Sequence, residues 1–217
     1  MSLEILYQDQ WIVVVNKPAG MLVHAGRDPE PDDQIAMKVV RDQLGQRVGT
    51  VHRLDRPTSG VLLFALDTAI EAAFRQQFDD QVIGKKYLAV VSGESPAAWV
   101  SEERLQKDEG EPHREAKTEF VRERVVEIEG ELFSVLSVAP HSGRYHQIRK
   151  HLLAAGFPIV GDYLYGDIPE MERIAELIKQ PRLMLHAHRL KFYHPVEGVD
   201  IEVSAPLPER FTPFSIV

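Results

Sequence analysis

The sequence predicts an α+β fold, and three observations carry that prediction. Short apolar segments follow one another with no helix between most of them, as antiparallel strands joined by turns do. Amphipathic stretches are interspersed among these segments without the strict alternation that builds a helix-flanked parallel sheet. The 217 residues, 44% apolar and 27% charged, suffice for one large domain or two small, closely packed ones.

Each element follows from its residues. Segments 3–7 and 11–15 surround Gln8, Asp9 and Gln10 and read as a hairpin. Pro18, which cannot donate to a ladder, and Gly20, which permits a left-handed turn, end the second strand. After a polar loop over 26–33, Asp32 or Asp33 can cap a helix reaching Leu44, with Ile35, Val39 and Val40 as its buried stripe. Residues 61–66 form a continuous apolar strand, and Asp67 is placed to cap a helix to about Phe78 with Ile70, Phe74 and Phe78 on one face. A strand over 87–91 closes at Ser92 and Gly93, and 95–112 reads as loop with short pieces of structure. Residues 117–129 and 132–138 read as antiparallel strands turning near Glu129 and Gly130. Then come a helix over 146–155 with Ile148, Leu152 and Ala155 inward, and an amphipathic helix over 170–179 behind Pro169. Strands over 183–193 and 199–203 finish the chain.

Composition removes several function classes. With no cysteine, structural disulfides, thiolate nucleophiles and cysteine-based zinc sites are excluded. The opening Met1-Ser2-Leu3-Glu4 carries no basic, apolar leader, and no run approaches the ~20 apolar residues of a membrane span, so a cytoplasmic protein is expected. The 25 basic and 33 acidic residues leave −8, which argues against a surface broadly coated by nucleic acid. The charge is uneven: residues 94–131 hold 12 acidic and 6 basic side chains and so carry −6 of it. Two segments are locally basic, 84–87 with Lys85 and Lys86, and 141–151 with Arg144, Arg149 and Lys150. A concave basic site on an acidic body suits a polyanionic substrate.

Two constellations could carry chemistry. Residues 51–60 pack His52, Arg53, Asp55 and Arg56 into a turn stiffened by Pro57, bent at Gly60, with Thr58 or Ser59 able to satisfy loose backbone groups. Flanking arginines favour an ionised Asp55, which can serve as nucleophile or base; the same residues also suit a salt-bridged structural turn. In 141–151, a helix beginning near Tyr145 places Arg149 one turn on, where its planar fork suits a carboxylate, while Arg144 and Lys150 could meet phosphates; a solvated basic helix end is the alternative. Tyr87, behind two lysines, is either a core ring or a surface for a base.

Other chemistries lack their patterns. No glycine-rich phosphate loop is present, Ser59 and Ser142 have no hydrolase motif, and His186 with His188 has no third metal ligand, so no metal site is expected. Glu102-Glu103 and Asp108-Glu109 read as solvated faces.

The chain resembles the RluA family of RNA pseudouridine synthases. The resemblance rests on His52-Arg53-Leu54-Asp55 with Thr58-Ser59-Gly60, on Lys85-x-Tyr87-Leu88, and on Gly143-Arg144-x-His146-Gln147-Ile148-Arg149. Asn16-Lys17-Pro18-Ala19-Gly20, Pro158-Ile159-Val160-Gly161-Asp162 and Leu185-His186-Ala187 add to it, in the family's order from about Leu3 to Val203. It implies a mixed, mainly antiparallel central sheet with flanking helices, two subdomains and a cleft across the sheet. It also implies isomerisation of uridine to pseudouridine without a cofactor. Asp55 matches the family's essential aspartate, Arg149 would pair with it, and Tyr87 would pack against the target base. Arg53 would fill the gap left by a flipped base. Arg56, Lys85, Lys86, Arg144 and Lys150 would face RNA, and His52, Thr58, His146 and Gln147 would support the loops. The catalytic hairpin begins at Leu3, so no N-terminal S4-like domain is expected. Residues 55–63 and 182–187 look most like the TruC type, which acts on uridine 65 of transfer RNA. Ribosomal RNA or another transfer-RNA position is the competing substrate, and a non-catalytic RNA-binding protein the competing class. No membrane and no required protein partner are expected.

Overall fold

The computed structural model describes residues 1–25, 33–107, 110–180 and 182–214. Most of the expected 26–33 loop, Asp32 and the Asp108-Glu109 pair therefore lie outside the described residues. The fold is α+β, with a mixed, mainly antiparallel sheet and flanking helices. It divides into two compact units, Met1–Gly84 with Ala187–Pro206, and Lys85–His186 with Leu207–Val217. No helix among the described residues is long and apolar enough to cross a membrane.

The first unit carries β1 (Glu4–Gln8), β2 (Ile12–Lys17), α1 (Ala36–Leu44), β3 (Gly49–Thr50), β4 (Ser59–Ala65) and α2 (Thr68–Asp79). The expected hairpin forms because Asp9 folds back on the chain: its Oδ1 accepts the N–H groups of Trp11 and Ile12 at 2.7 and 2.8 Å. β2 and β4 pair antiparallel, Val13 opposite Phe64, and all of β4 is buried, which its continuous apolar run demands. Asp67 caps α2 as expected, accepting from Ala69 and Ile70. Ile70 and Phe74 are buried, and Phe78 packs half-exposed at the core's margin.

The cap expected for α1 is not an aspartate. Its N-cap is Ile35 with no side-chain cap, and the first helical N–H groups are met by the chain instead: Ala36 donates to the Leu22 carbonyl at 2.8 Å and Met37 to that of Val23 at 3.1 Å. Asp33 is engaged by Arg56, and the buried residues are Ile35, Ala36 and Val40, with Val39 half-exposed.

The second unit holds β5 (Gly84–Ser92, whose Gly84 belongs to the first), β6 (Ala98–Ser101), β7 (Thr118–Ile128), β8 (Glu131–Pro140), α3 (Gln147–Ala154) and α4 (Ile168–Ile178). Its strands run β5-β8-β7-β6, antiparallel where paired. The β7–β8 turn falls at Glu129 and Gly130, with φ of 49° and 83°; two left-handed residues match the twist of the strands they join. β6 emerges from the expected loop, its Trp99 stacked on Phe120 at 4.6 Å. Ile148 and Leu152 of α3 are buried, but Ala155 is the exposed C-cap, one residue beyond the last helical turn. α4 starts earlier than expected because Asp167 caps it, and Lys179 is its left-handed C-cap.

β9 (Leu185–Tyr193) and β10 (Asp200–Ser204) form the expected final pair. In the first unit β9 lies beside β4. A 3-10 turn over Glu209–Phe214, unforeseen in the sequence, buries Phe211 and Phe214 in the second unit.

Candidate active site

The sequence-derived candidates fall into two groups, one in each unit. In the first, Asp55 sits half-buried in a turn closed by the Thr58 N–H donating to the Asp55 carbonyl at 3.0 Å. Gly60 ends the turn with φ +115°, and a Cβ there would overlap the Ala187 backbone, so only glycine lets the chain enter β4 at this point. His52 braces the loop from behind: its Nε2 accepts the Leu63 N–H at 2.9 Å, which puts a neutral ring's proton on Nδ1, and the ring stacks on Phe78 at 4.8 Å. Arg53 is exposed. Arg56 donates from Nε to the Gly20 carbonyl at 3.1 Å and pairs with Asp33 at 2.8 Å. Of Thr58 and Ser59, either of which could satisfy a loose backbone group, the Thr58 hydroxyl is buried and has no hydrogen-bond partner among the described residues. The backbone of the turn supplies that closure itself.

Lys17 is the member of this group that residue type and spacing leave without a role. It is fully buried, and its ammonium donates to the carbonyls of Pro18, Met21 and Arg56 at 3.0, 2.8 and 3.2 Å. With the Gly20 N–H also on the Arg56 carbonyl at 2.8 Å, the turn after β2 is stitched to the Asp55 loop. The signal was a lysine closing a buried strand, one residue removed from four consecutive apolar positions.

In the second unit, Lys85 and Tyr87 share one face of β5 by the strand's period of two. Tyr87 lies opposite Val138 and packs against the unit's core. Lys85 donates to the Ser142 carbonyl at 3.2 Å, and burial pulls its ammonium down to about 8. Lys86, on the other face, stands 3.6 Å from Glu123.

The 142–150 segment is organised by Gln147. Its amide oxygen accepts from the Ser142 hydroxyl at 2.6 Å and the Arg144 N–H at 3.1 Å, and its amide nitrogen donates to the Lys117 carbonyl and the Thr118 hydroxyl, both at 2.9 Å. All four of its hydrogen-bonding positions are used. Thr118 in turn meets His151 Nδ1 at 2.9 Å, and His151 Nε2 meets the Glu103 carbonyl at 3.2 Å. A carbonyl can only accept, so Nε2 carries the proton and Nδ1 accepts from Thr118 while the ring is neutral. Burial favours that neutral form and lowers the His151 pKa.

The cations flanking Gln147 are also engaged. Arg144 Nε donates to the Glu115 carbonyl at 3.1 Å and Lys150 to that of Gln106 at 2.6 Å. His146 caps α3 in a left-handed conformation, φ 55°, stacks on Tyr145 at 3.7 Å, and bonds through Nδ1 to the Tyr165 hydroxyl at 2.9 Å. Arg149, 5% exposed, grips Asp162 with both arms of its fork, Nε to Oδ2 at 2.7 Å and Nη2 to Oδ1 at 2.6 Å. Asp162 closes the segment Pro158-Ile159-Val160-Gly161-Asp162, whose residue types and spacing assign it no role. Among the described residues no group of three or more His, Asp or Glu is arranged to hold a metal ion, and the His188 ring bonds the Ala205 carbonyl at 3.1 Å.

A family model described as RNA pseudouridylate synthase matches residues 11–154. The tRNA pseudouridine synthase C of Pasteurella multocida is 38% identical over 229 positions, covering 97% of this chain and 94% of that protein. Its namesake from Haemophilus influenzae is also 38% identical, with 96% and 95% covered. Human RNA Pseudouridylate Synthase Domain Containing 1 superposes with a TM-score of 0.79 at 26% identity over 95% of this chain and 84% of that one. Human RNA Pseudouridylate Synthase Domain Containing 4 shares the fold, with a TM-score of 0.75 at 24% identity over 97% and 90%.

Proposed function

We propose, for a chain that belongs to the RNA pseudouridylate synthase family and isomerises uridine in RNA to pseudouridine, that the substrate is transfer RNA in the cytoplasm and the target uridine 65. The observation that carries the substrate reading is the 38% identity, across nearly the whole chain, to two enzymes named tRNA pseudouridine synthase C.

The reaction cuts the N1–C1′ bond, turns the uracil, joins C5 to C1′, and returns the displaced C5 proton to solvent while N1 gains one. Atoms and electrons balance without oxidant or phosphate donor. Asp55 starts the cleavage, by attack at the sugar or by removing a ribose proton, and Arg149 provides the guanidinium partner of its carboxylate. Tyr87 restrains the uracil as it turns, and Arg53 fills the stack the uridine leaves. Extruding the base costs a few kcal/mol, offset by new stacking and backbone contacts. The stiffness of the Asp55 turn supports this reading, since a reacting carboxylate gains from being held before substrate arrives.

Lys85, Arg144 and Lys150 donate to backbone carbonyls, which are neutral, so these bonds leave each cation's charge uncancelled. RNA phosphates can replace those carbonyls. Arg56 and Lys86 would instead exchange a carboxylate, Asp33 or Glu123, for phosphate.

Pseudouridine mapping of total RNA from cells with and without the gene tests the substrate. Loss of the modification at uridine 65 of transfer RNA supports the reading; loss only in ribosomal RNA or at another transfer-RNA position overturns it. Tritium release from C5-labelled uridine in RNA separates a synthase from a protein that only binds.

A further inference from the structure

Arg149 is gripped in its own plane by one side chain and covered by another, and neither has a role in the reading above. Asp162, 2% exposed, is itself immobilised: its Oδ1 also accepts the N–H groups of Leu164 and Tyr165 at 3.2 and 3.3 Å, and its own N–H donates to the Ile159 carbonyl at 3.0 Å. Its carbonyl accepts from Gly166 at 2.8 Å. Gly161 precedes it at φ +76°, pressed so closely on the backbone of Arg182 and Leu183 that no Cβ fits. The turn is anchored below by a ring of backbone bonds, Val160 to Val90, Val90 to Met184 and Met184 to Val160. Tyr165 places its ring centre 5.0 Å from the Arg149 guanidinium carbon, and its hydroxyl is tied to His146.

We propose that Asp162 and Tyr165 are positioning residues that set the plane and direction of the Arg149 guanidinium, so that the reaction depends on them through Arg149. The inference rests on the reading of Arg149 given above. Asp162 fixes rotation within the plane through the two-point fork, and Tyr165 fixes tilt out of it. Nη1 is the nitrogen that takes part in neither bond to Asp162, and its direction follows from the other two. A buried ion pair is a weak source of stability, because apolar residues of the same volume often do as well. What a bidentate grip supplies, and an apolar pair cannot, is orientation.

The test is a double-mutant cycle on the single-turnover rate of uridine conversion, read beside RNA Kd and Tm. Asp162→Asn should slow the step ~10²-fold, and Tyr165→Leu about tenfold, as small misplacements of a reacting group do, with Kd changed less than about twofold. Tyr165→Phe, which keeps the ring, should recover most of the Tyr165→Leu loss. In an Arg149→Lys background the same substitutions should cost less than about twofold further in rate, because the group they aim is gone. Full additivity in that background, or wild-type rates for both single variants, overturns the positioning claim alone. Wild-type turnover by Arg149→Lys defeats the reading of Arg149, and the proposal falls with it. If Asp162→Asn does not fold, the Tyr165 variants carry the same cycle.

Discussion

The loop around Asp55 and the segment around Arg149 are both rigid, but they are made rigid by different means. Around Asp55 the holding bonds run to the backbone: Lys17 to three carbonyls, Leu63 N–H to His52, Thr58 N–H to the Asp55 carbonyl. Around Arg149 side chains also hold one another, through Gln147, Thr118, Asp162, Tyr165 and His146, with Gln147 and Asp162 bonding backbone groups besides. The first arrangement fixes where the chain goes. The second fixes the functional side chain itself. Substitutions should therefore separate activity from stability in the first region and blur the two in the second.

The largest effect sharpens that contrast. Asp55→Asn should reduce pseudouridine formation by ~10³-fold or more, with Tm and RNA Kd near wild type, because the substitution keeps the side chain's shape and the Thr58 bond that closes the turn uses the Asp55 backbone carbonyl. Retained turnover by a folded variant would take Asp55 out of its role. Arg149→Lys should lose ~10²-fold in turnover and also lower Tm, since a point cation cannot fill the Asp162 fork. An unchanged Tm would break the comparison.

The holders come next. Lys17→Met takes the ammonium from the Pro18 and Met21 carbonyls, while that of Arg56 keeps the Gly20 N–H, and at ~1–3 kcal/mol for each buried group left unpaired, urea unfolding should show a loss of about 2 kcal/mol or more. Gln147→Glu keeps the shape but turns two donated bonds into oxygen facing oxygen at Lys117 and Thr118, and should cost about 2 kcal/mol by the same assay. A neutral Gln147→Glu would mean that the amide network is not what holds this segment.

Much of this was legible in the sequence, and what was missed has a common cause. Asp67 before α2 and Glu129-Gly130 between β7 and β8 act on neighbours within a few positions, so spacing alone finds them. The cap of α1 comes from Leu22 and Val23, far from it in sequence, and the two-residue β3 exists only because β4 lies beside it. Motif likeness picked out Asp55, Tyr87 and Arg149 but gave no work to Lys17, Asp162 or Tyr165. Their partners are carbonyls or side chains on other elements, which residue types and spacing do not encode.

The smallest effects are those of pH. Burial lowers Lys85 from 10.5 to about 8, so its cation fades above that value and log Kd for RNA should climb with pH there. Lys85→Arg should flatten the climb; an identical slope would remove Lys85 from the RNA face. Between about 8 and 10.5 the unfolded chain holds more protons at this lysine, so its contribution to stability rises with pH across the same window. His151 works at the other end. Its lowered pKa means the unfolded chain takes up protons first, so this share of stability is present above the ordinary value of 6.5 and is lost as pH falls below it. The Tm of the wild type should drop more steeply from pH 7.5 to 5.5 than that of His151→Gln; parallel curves would place the acid-sensitive group elsewhere.

The chain of bonds from Gln147 through Thr118 to His151 and on to Glu103 has a polarity, because an amide nitrogen starts it and a carbonyl ends it. Every hydrogen along it can point only one way while the imidazole is uncharged. Reversing one hydroxyl would set two lone pairs against each other, so the rotors behave as a single locked unit. The strand bearing Thr118 and the helix bearing Arg149 are thereby keyed like a ratchet with one tooth engaged. Nitrogen-15 spectra of the His151 ring should accordingly display one tautomer and no exchange between two.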